Sequence, residues 1–196
     1  GPGDEVILPP LTFCATLNAV LAVGANPVFA DVTPNGHINP EEIEKVITSQ
    51  TRAIIPVHYT GSSCDMDAIR EIASKVGIHV IEDAAHSFGG RDKDWIRIGA
   101  LSSFASFSFH ATKNIVCGEG GMLLVRDKNI AEKIRVLSMN GLSADSWKRY
   151  GTSPVKSYQV LEAGLKGNMT DIHAAIGRTQ LKRWPFMKMR RDAIWK

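Results

Sequence analysis

Four short apolar runs alternate with amphipathic segments through the first half of the chain, and this rhythm restricts the fold more than any other feature. Glu5 to Leu8, Pro27 to Val32, Arg52 to Val57 and His79 to Glu82 read as strands. Between them, Thr16 to Val23, Pro40 to Thr48 and Asp65 to Val76 read as helices. Right-handed crossovers stack strands joined in this way into a mostly parallel sheet. Such a sheet is buried on both faces, which predicts a three-layer α/β domain. Asn39 is placed to cap the helix that opens at Pro40, with Glu42 in the capping-box position. Gly77 stops the helix that starts at Asp65.

Within that frame one lysine carries unusual surroundings. The run Ser108-Phe-His-Ala-Thr-Lys113-Asn-Ile-Val-Cys-Gly-Glu-Gly-Gly121 sets Lys113 between a short apolar strand and a glycine-rich turn. A free lysine titrates near ~10.4, so roughly one amine in a few thousand is nucleophilic at neutral pH. Chemistry at Lys113 therefore needs a desolvated pocket, or capture of the amine as an imine by a carbonyl cofactor. In the preceding strand, Ala105, Phe107 and Phe109 share one face while Phe104, Ser106 and Ser108 share the other. Ser108 can then hold a phosphate oxygen while the lysine holds an aldehyde carbon. The run Ile78-His-Val-Ile-Glu-Asp83-Ala-Ala-His86 reads as a buried parallel strand. Asp83 falls beyond its carboxyl end, where ligands collect in open α/β sheets. A carboxylate there can pair with a pyridinium nitrogen and keep the ring electron-withdrawing. A loop lysine and a strand-end aspartate are each ordinary structural features. Lys113, Asp83 and Ser108 together point to pyridoxal phosphate.

Motifs along the whole chain support the same reading. They are Gly1-Pro-Gly-Asp-Glu-Val-Ile, Pro10-Leu-Thr-Phe13, Ile55-Pro-Val-His58, Glu82-Asp-Ala-Ala-His86, Ser108 to Lys113, and Asn168-Met-Thr-Asp-Ile-His-Ala-Ala175. In this order and spacing the chain resembles the DegT/DnrJ/EryC1/StrS family of pyridoxal-phosphate-dependent sugar aminotransferases. It looks most like members that aminate the 4-keto position of nucleotide-linked sugars, including the UDP-4-amino-4-deoxy-L-arabinose aminotransferase type. The resemblance implies the large domain of an aspartate-aminotransferase-like, fold type I enzyme. It makes Lys113 the residue that binds the cofactor covalently and later shuttles a proton, and it puts Asp83 at the pyridine nitrogen. Phe13 matches the aromatic position that stacks on the cofactor, His86 the side chain near its ring oxygen, and Ser108 a phosphate ligand. Asn168 matches a residue donated to the neighbouring subunit's phosphate, which implies a homodimer with shared active sites. Glutamate, yielding 2-oxoglutarate, is the implied amino donor and a nucleotide-linked keto sugar the acceptor, in the making of cell-surface polysaccharide, lipopolysaccharide or glycosylated metabolites. Relatives that dehydrate the sugar carry histidine in place of the lysine, so Lys113 argues for transamination.

The remaining features set bounds. The 196 residues suit one domain, and 44% hydrophobic content allows a substantial core. A net charge of +3, with basic residues scattered until the end of the chain, gives no nucleic-acid site. Cys14, Cys64 and Cys117 lack metal-ligand spacing and fit reduced thiols in a cytoplasm. The dispersed histidines predict no metal site. No apolar run approaches the ~20 residues of a membrane span. Gly118 to Gly121 precedes the strand Met122 to Val125 instead of opening a helix, so it reads as a tight turn and not a phosphate loop. Gly141 to Lys166 reads as a long loop. Trp184-Pro185 is expected to break the helix Asp171 to Arg183. That divides the chain into a partial large domain, 1–183, and the start of a connector, 184–196, to a small domain outside this sequence. The opening on Gly1-Pro2 likewise reads as a truncated start. A dinucleotide-binding dehydrogenase would need a glycine fingerprint after the first strand, which Pro9-Pro10-Leu-Thr-Phe13 does not supply. The rival from another class is a non-catalytic α/β fragment or regulatory relative without cofactor.

Overall fold

The computed structural model describes residues 1–143 and 159–195. Within them one six-stranded sheet is built from β1 (Glu5–Leu8), β2 (Asn26–Phe29), β3 (Thr51–Ile54), β4 (His79–Asp83), β5 (Phe104–Ser108) and β6 (Gly121–Val125). Their order is β2-β1-β3-β4-β5-β6. β1 to β5 pair in parallel, and β6 joins β5 antiparallel. The crossovers are α1 (Cys14–Ala22), α2 (Pro40–Val46) and α3 (Met66–Val76), followed by α4 (Lys128–Leu137) and α5 (Asp171–Trp195).

The chain steps from β1 outward to β2, then returns past β1 to β3 and continues to β4. Right-handed crossovers therefore set α1 on one face and α2 with α3 on the other. Residue alternation agrees. Ile7 and Ile54 pack with Ile43, Ile69 and Ile72 of α2 and α3, while Leu8, pointing the opposite way, is equally buried. A second cluster, beyond β4, gathers Ala105, Phe107, Phe109, Ile115 and Cys117, with Phe88, Met169 and Trp184 against it. The expected face of Ala105, Phe107 and Phe109 is thus the buried one.

Local signals worked at several element ends. Asn39 Oδ1 accepts from the Glu41 N–H at 3.1 Å, and Pro40 opens α2. Asp65 caps α3 through the Ala68 N–H, and Gly77 ends it at φ 73°, a left-handed conformation that glycine adopts without strain. The capping box does not form: the Asn39 N–H donates to the Asp31 carbonyl at 2.9 Å, and the Glu42 carboxylate accepts from Lys45 at 2.6 Å. β2 and β3 end earlier than their apolar runs do, at Phe29 and Ile54. Of the expected loop Gly141 to Lys166, residues 144–158 lie outside the described residues.

The helix break expected at Trp184-Pro185 does not occur, since α5 runs from Asp171 to Trp195 with Pro185 inside. Proline removes one N–H and crowds the carbonyl four residues back. α5 has no fully buried residue, so that carbonyl can turn to water. Contacts on either side of the proline hold the helix in place. Trp184 meets Phe88 edge-on at 5.5 Å, and Arg191 lies over the Trp184 ring and donates to the Asn114 carbonyl at 2.9 Å. Pro185→Ala is therefore expected to stabilise the protein by about 1–2 kcal/mol in urea denaturation, the helix-interior penalty less the gain in unfolded-chain entropy. A neutral or destabilising result would place a break where the structure has none.

Candidate active site

A cleft of about 460 Å³ opens at the carboxyl ends of β1, β3 and β4, where the winding direction reverses. Open α/β sheets bind their ligands at such a switch point, and the volume suits a small organic ligand. Five residues singled out from the sequence, Phe13, Asp83, His86, Ser108 and Lys113, line it together. Asn168 does not; it is exposed, and its side-chain amide donates to the Met169 carbonyl at 3.3 Å.

Asp83 is the most firmly held of the five. Thr16 Oγ1 donates to its Oδ2 at 2.8 Å, and the Ala85 N–H donates to Oδ1 at 3.1 Å. With the Thr16 hydrogen committed, Thr16 Oγ1 accepts from Thr12 Oγ1 at 2.7 Å. The backbone is fixed as well, since the Asp83 N–H donates to the Pro56 carbonyl and its carbonyl accepts from the His58 N–H.

Lys113 is held through its neighbours. Its N–H closes a turn onto the His110 carbonyl at 3.0 Å. Asn114 Nδ2 donates to the His86 and Phe88 carbonyls, and buried Phe109 and Ile115 flank the turn. Ser108 sits at the end of β5 with its Oγ accepting from the His110 N–H at 3.3 Å. His86 lines the same cleft and feels both charges. Burial pushes its imidazole below the ordinary histidine value and the Lys113 charge adds to this, while Asp83 opposes both. Phe13, 73% exposed, offers a bare ring on the cleft wall. An aromatic face, a carboxylate, an amine and a hydroxyl on one wall suit a flat, phosphorylated heteroaromatic aldehyde.

Sequence reasoning missed Thr12, Thr16, Tyr59, His110 and Glu119, which also line the cleft. The four-residue spacing of Thr12 and Thr16 was visible. Their pairing with Asp83, 67 positions from Thr16, depends on the sheet. A second depression, about 340 Å³, lies elsewhere among residues that include His37, Cys64, Asp67 and Lys93. Its acids serve structure: Asp65 caps α3, and Asp67 pairs with Lys93 at 2.7 Å. Among the described residues no cluster of His, Cys, Asp and Glu could hold a metal, and no helix is long and apolar enough to cross a membrane.

A three-layer sheet with lysine and aspartate meeting at its switch point is the architecture of the large domain of fold type I pyridoxal-phosphate enzymes. The chain belongs to the DegT/DnrJ/EryC1/StrS aminotransferase family, whose model matches residues 1–196. It is 48% identical over 195 residues to the spore coat polysaccharide biosynthesis protein SpsC of Bacillus subtilis, covering 99% of this chain and 50% of that protein. Among solved structures it is similar to Spr1654 of Streptococcus pneumoniae in its PLP form, with TM-score 0.88 and 31% identity over 99% of this chain and 52% of that one. It is likewise similar to Helicobacter pylori PseC, an aminotransferase involved in the biosynthesis of pseudoaminic acid, with TM-score 0.88 and 29% identity over 98% of this chain and 50% of that one. The chain thus spans about half the length of the curated relatives it matches.

The charges around His86 give a signed expectation. In an NMR titration its imidazole midpoint is expected below the ordinary histidine value of 6.5. Lys113→Met moves the midpoint up by removing a like charge, and Asp83→Asn moves it further down by removing the counter-charge. A midpoint at or above 6.5, or one indifferent to Lys113→Met, would contradict the geometry.

Proposed function

We propose that the protein is a pyridoxal-phosphate-dependent aminotransferase that moves an amino group from glutamate to the 4-keto position of a nucleotide-linked sugar. The observation that carries this reading is the meeting of Lys113 and Asp83 in one cleft at the switch point of the sheet. SpsC, named for spore coat polysaccharide biosynthesis, and PseC, named for pseudoaminic acid biosynthesis, support a role in building cell-surface sugars.

Lys113 Nζ would hold the cofactor through its aldehyde, and Asp83 would face the ring nitrogen. Ser108 would take the phosphate, Phe13 would stack on the ring, and His86 would lie near the ring oxygen. When bound, the cofactor supplies a protonated ring that draws electron density from the C–H bond beside an amine. The Asp83 carboxylate would keep that ring nitrogen protonated. Its two hydrogen-bond donors, Thr16 and Ala85, stop it from turning away. Lys113 Nζ, when not holding the cofactor, would take up and give back the proton of the carbon beside the donor's amine. The same amine would serve the keto-sugar half of the reaction, moving the proton the other way. Asn168, exposed and outside the cleft, would face a neighbouring subunit. The working unit is then a homodimer with shared sites, acting in the cytoplasm.

Incubation with pyridoxal phosphate, borohydride reduction and peptide mass spectrometry test the assignment. A single pyridoxyl adduct at Lys113 is expected, and Lys113→Ala should abolish it. Asp83→Ala should still label, but cofactor affinity should fall about tenfold or more, because the charged partner of the ring nitrogen is gone. Labelling scattered over surface lysines of the folded protein would sink the reading.

A further inference from the structure

Glu82 precedes Asp83 on β4, yet its side chain points to the opposite face, into a buried polar network that the chemistry above does not use. Glu82 is 1% exposed and His58 0%. The Cys64 N–H donates to His58 Nδ1 at 3.2 Å, so the ring hydrogen sits on Nε2, which donates to Glu82 Oε2 at 3.0 Å. The Gly99 N–H donates to the same oxygen at 3.1 Å, and Arg70 Nη2 donates to Oε1 at 3.2 Å. One carboxylate therefore ties together α3, the segment after β3 and the segment before β5.

The segment that carries His58 also forms part of the cleft wall. Its His58 N–H and Pro56 carbonyl are the backbone partners of Asp83. The next residue, Tyr59, lines the cleft, with its ring centroid 6.4 Å from that of His86. Thr60 then adopts φ 56°, a left-handed conformation that is costly for a β-branched residue and persists only where surrounding structure imposes it. Gly61, at φ 94°, passes so close to His86 that a Cβ would meet the His86 carbonyl oxygen at 3.0 Å. The buried imidazole beneath this turn is held at both nitrogens.

Such a network adds little to stability, because desolvating the charges offsets most of their attraction. It does supply direction, since each bond fixes an angle as well as a distance. We propose that Glu82 is a positioning residue: through His58 it sets where Asp83 and the Tyr59 turn stand in the cleft. The proposal rests on the reading above only for the ligand whose affinity is measured.

The test compares Glu82→Gln, nearly the same shape but with an NH2 that must face another donor, with Ile72→Val, which trims α3 packing outside the network. The Tyr59 and His86 ring resonances, recorded without cofactor well below each melting temperature, report the cleft wall. Glu82→Gln should shift both and weaken pyridoxal phosphate binding, read by absorbance, by about tenfold or more. Ile72→Val should leave the resonances in place and the affinity within about twofold. Wild-type resonances and affinity in Glu82→Gln would overturn the proposal, whatever its melting temperature. If that variant does not fold, Arg70→Leu, on the partly exposed arm, is read the same way; it should shift the resonances and weaken binding about threefold, a loss of one charged hydrogen bond at partial exposure. No change there overturns the proposal too. If the wild-type protein takes up no pyridoxal phosphate, the functional reading fails and the resonances alone decide the role of Glu82.

Discussion

Glu82 and Asp83 end β4 side by side, and the pleat of the strand sends their carboxylates to opposite faces of the sheet. Asp83 accepts from Thr16 on α1, and Glu82 accepts from Arg70 on α3. Each helix layer is thus fastened to the same strand end by a directional contact. Apolar burial outweighs these contacts in energy. Ile7, Ile43, Ile54 and Ile69 are fully buried, each contributing about 2–3 kcal/mol, against about 0.5–1.5 kcal/mol net for an ordinary hydrogen bond. Yet apolar surfaces tolerate a slide of a few tenths of an ångström that a hydrogen bond does not. Stability lies mainly in the isoleucine layer, and the placement of the cleft lies in the two carboxylates.

The same division explains why the cleft sits where it does. Parallel strands deliver all their carboxyl ends to one edge, and the reversal of winding between β1 and β3 leaves a gap that no crossover helix covers. The loops after β1 and β3 and the end of β4 fill its rim with Phe13, Tyr59 and Asp83. Burial raises the Cys64 thiol, and the Glu82 charge adds to this, to a value of about 12. The thiol therefore stays protonated and donates to the Val57 carbonyl at 3.1 Å. That bond secures the loop after β3 from the side away from the cleft.

Legibility in the sequence followed the range of the interactions. Asn39, Asp65 and Gly77 act within one turn of themselves, and each does what its residue type suggests. Lys113, Asp83 and Ser108 were readable as cleft residues because Asp83 and Ser108 end strands and Lys113 comes just after one, at the sheet edge where ligands collect. Thr16 was not readable as a partner of Asp83, nor Glu82 as a partner of His58 and Arg70, since these pairings exist only after strands and helices register. Glu82 looked like one more acid at a strand end, although the alternation that sends Asp83 into the cleft must send its neighbour the other way. Pro185 misled for a related reason. Its local effect is real, but the contacts of Trp184 with Phe88 and of Arg191 with Asn114 override it at long range.

Asp83 and Lys113 are held by different physics, and the difference matches what the proposed chemistry asks of each. A carboxylate that must keep one ring nitrogen protonated gains from immobility, and Asp83 is pinned by donors on both oxygens and by backbone partners on both sides. A lysine that must hold a cofactor, release it and carry a proton between two carbons has to keep its side-chain freedom. The structure anchors the Lys113 backbone through buried Phe109 and Ile115 and through Asn114, while these contacts leave the amine out. Edge-on aromatic contacts of Phe88 with Phe107, Phe109 and Trp184, about 0.5–1.5 kcal/mol each beyond simple burial, stiffen the base beneath it. A firm base under a long flexible arm confines Nζ to the cleft without fixing it at one point, as a residue with two tasks at neighbouring atoms requires.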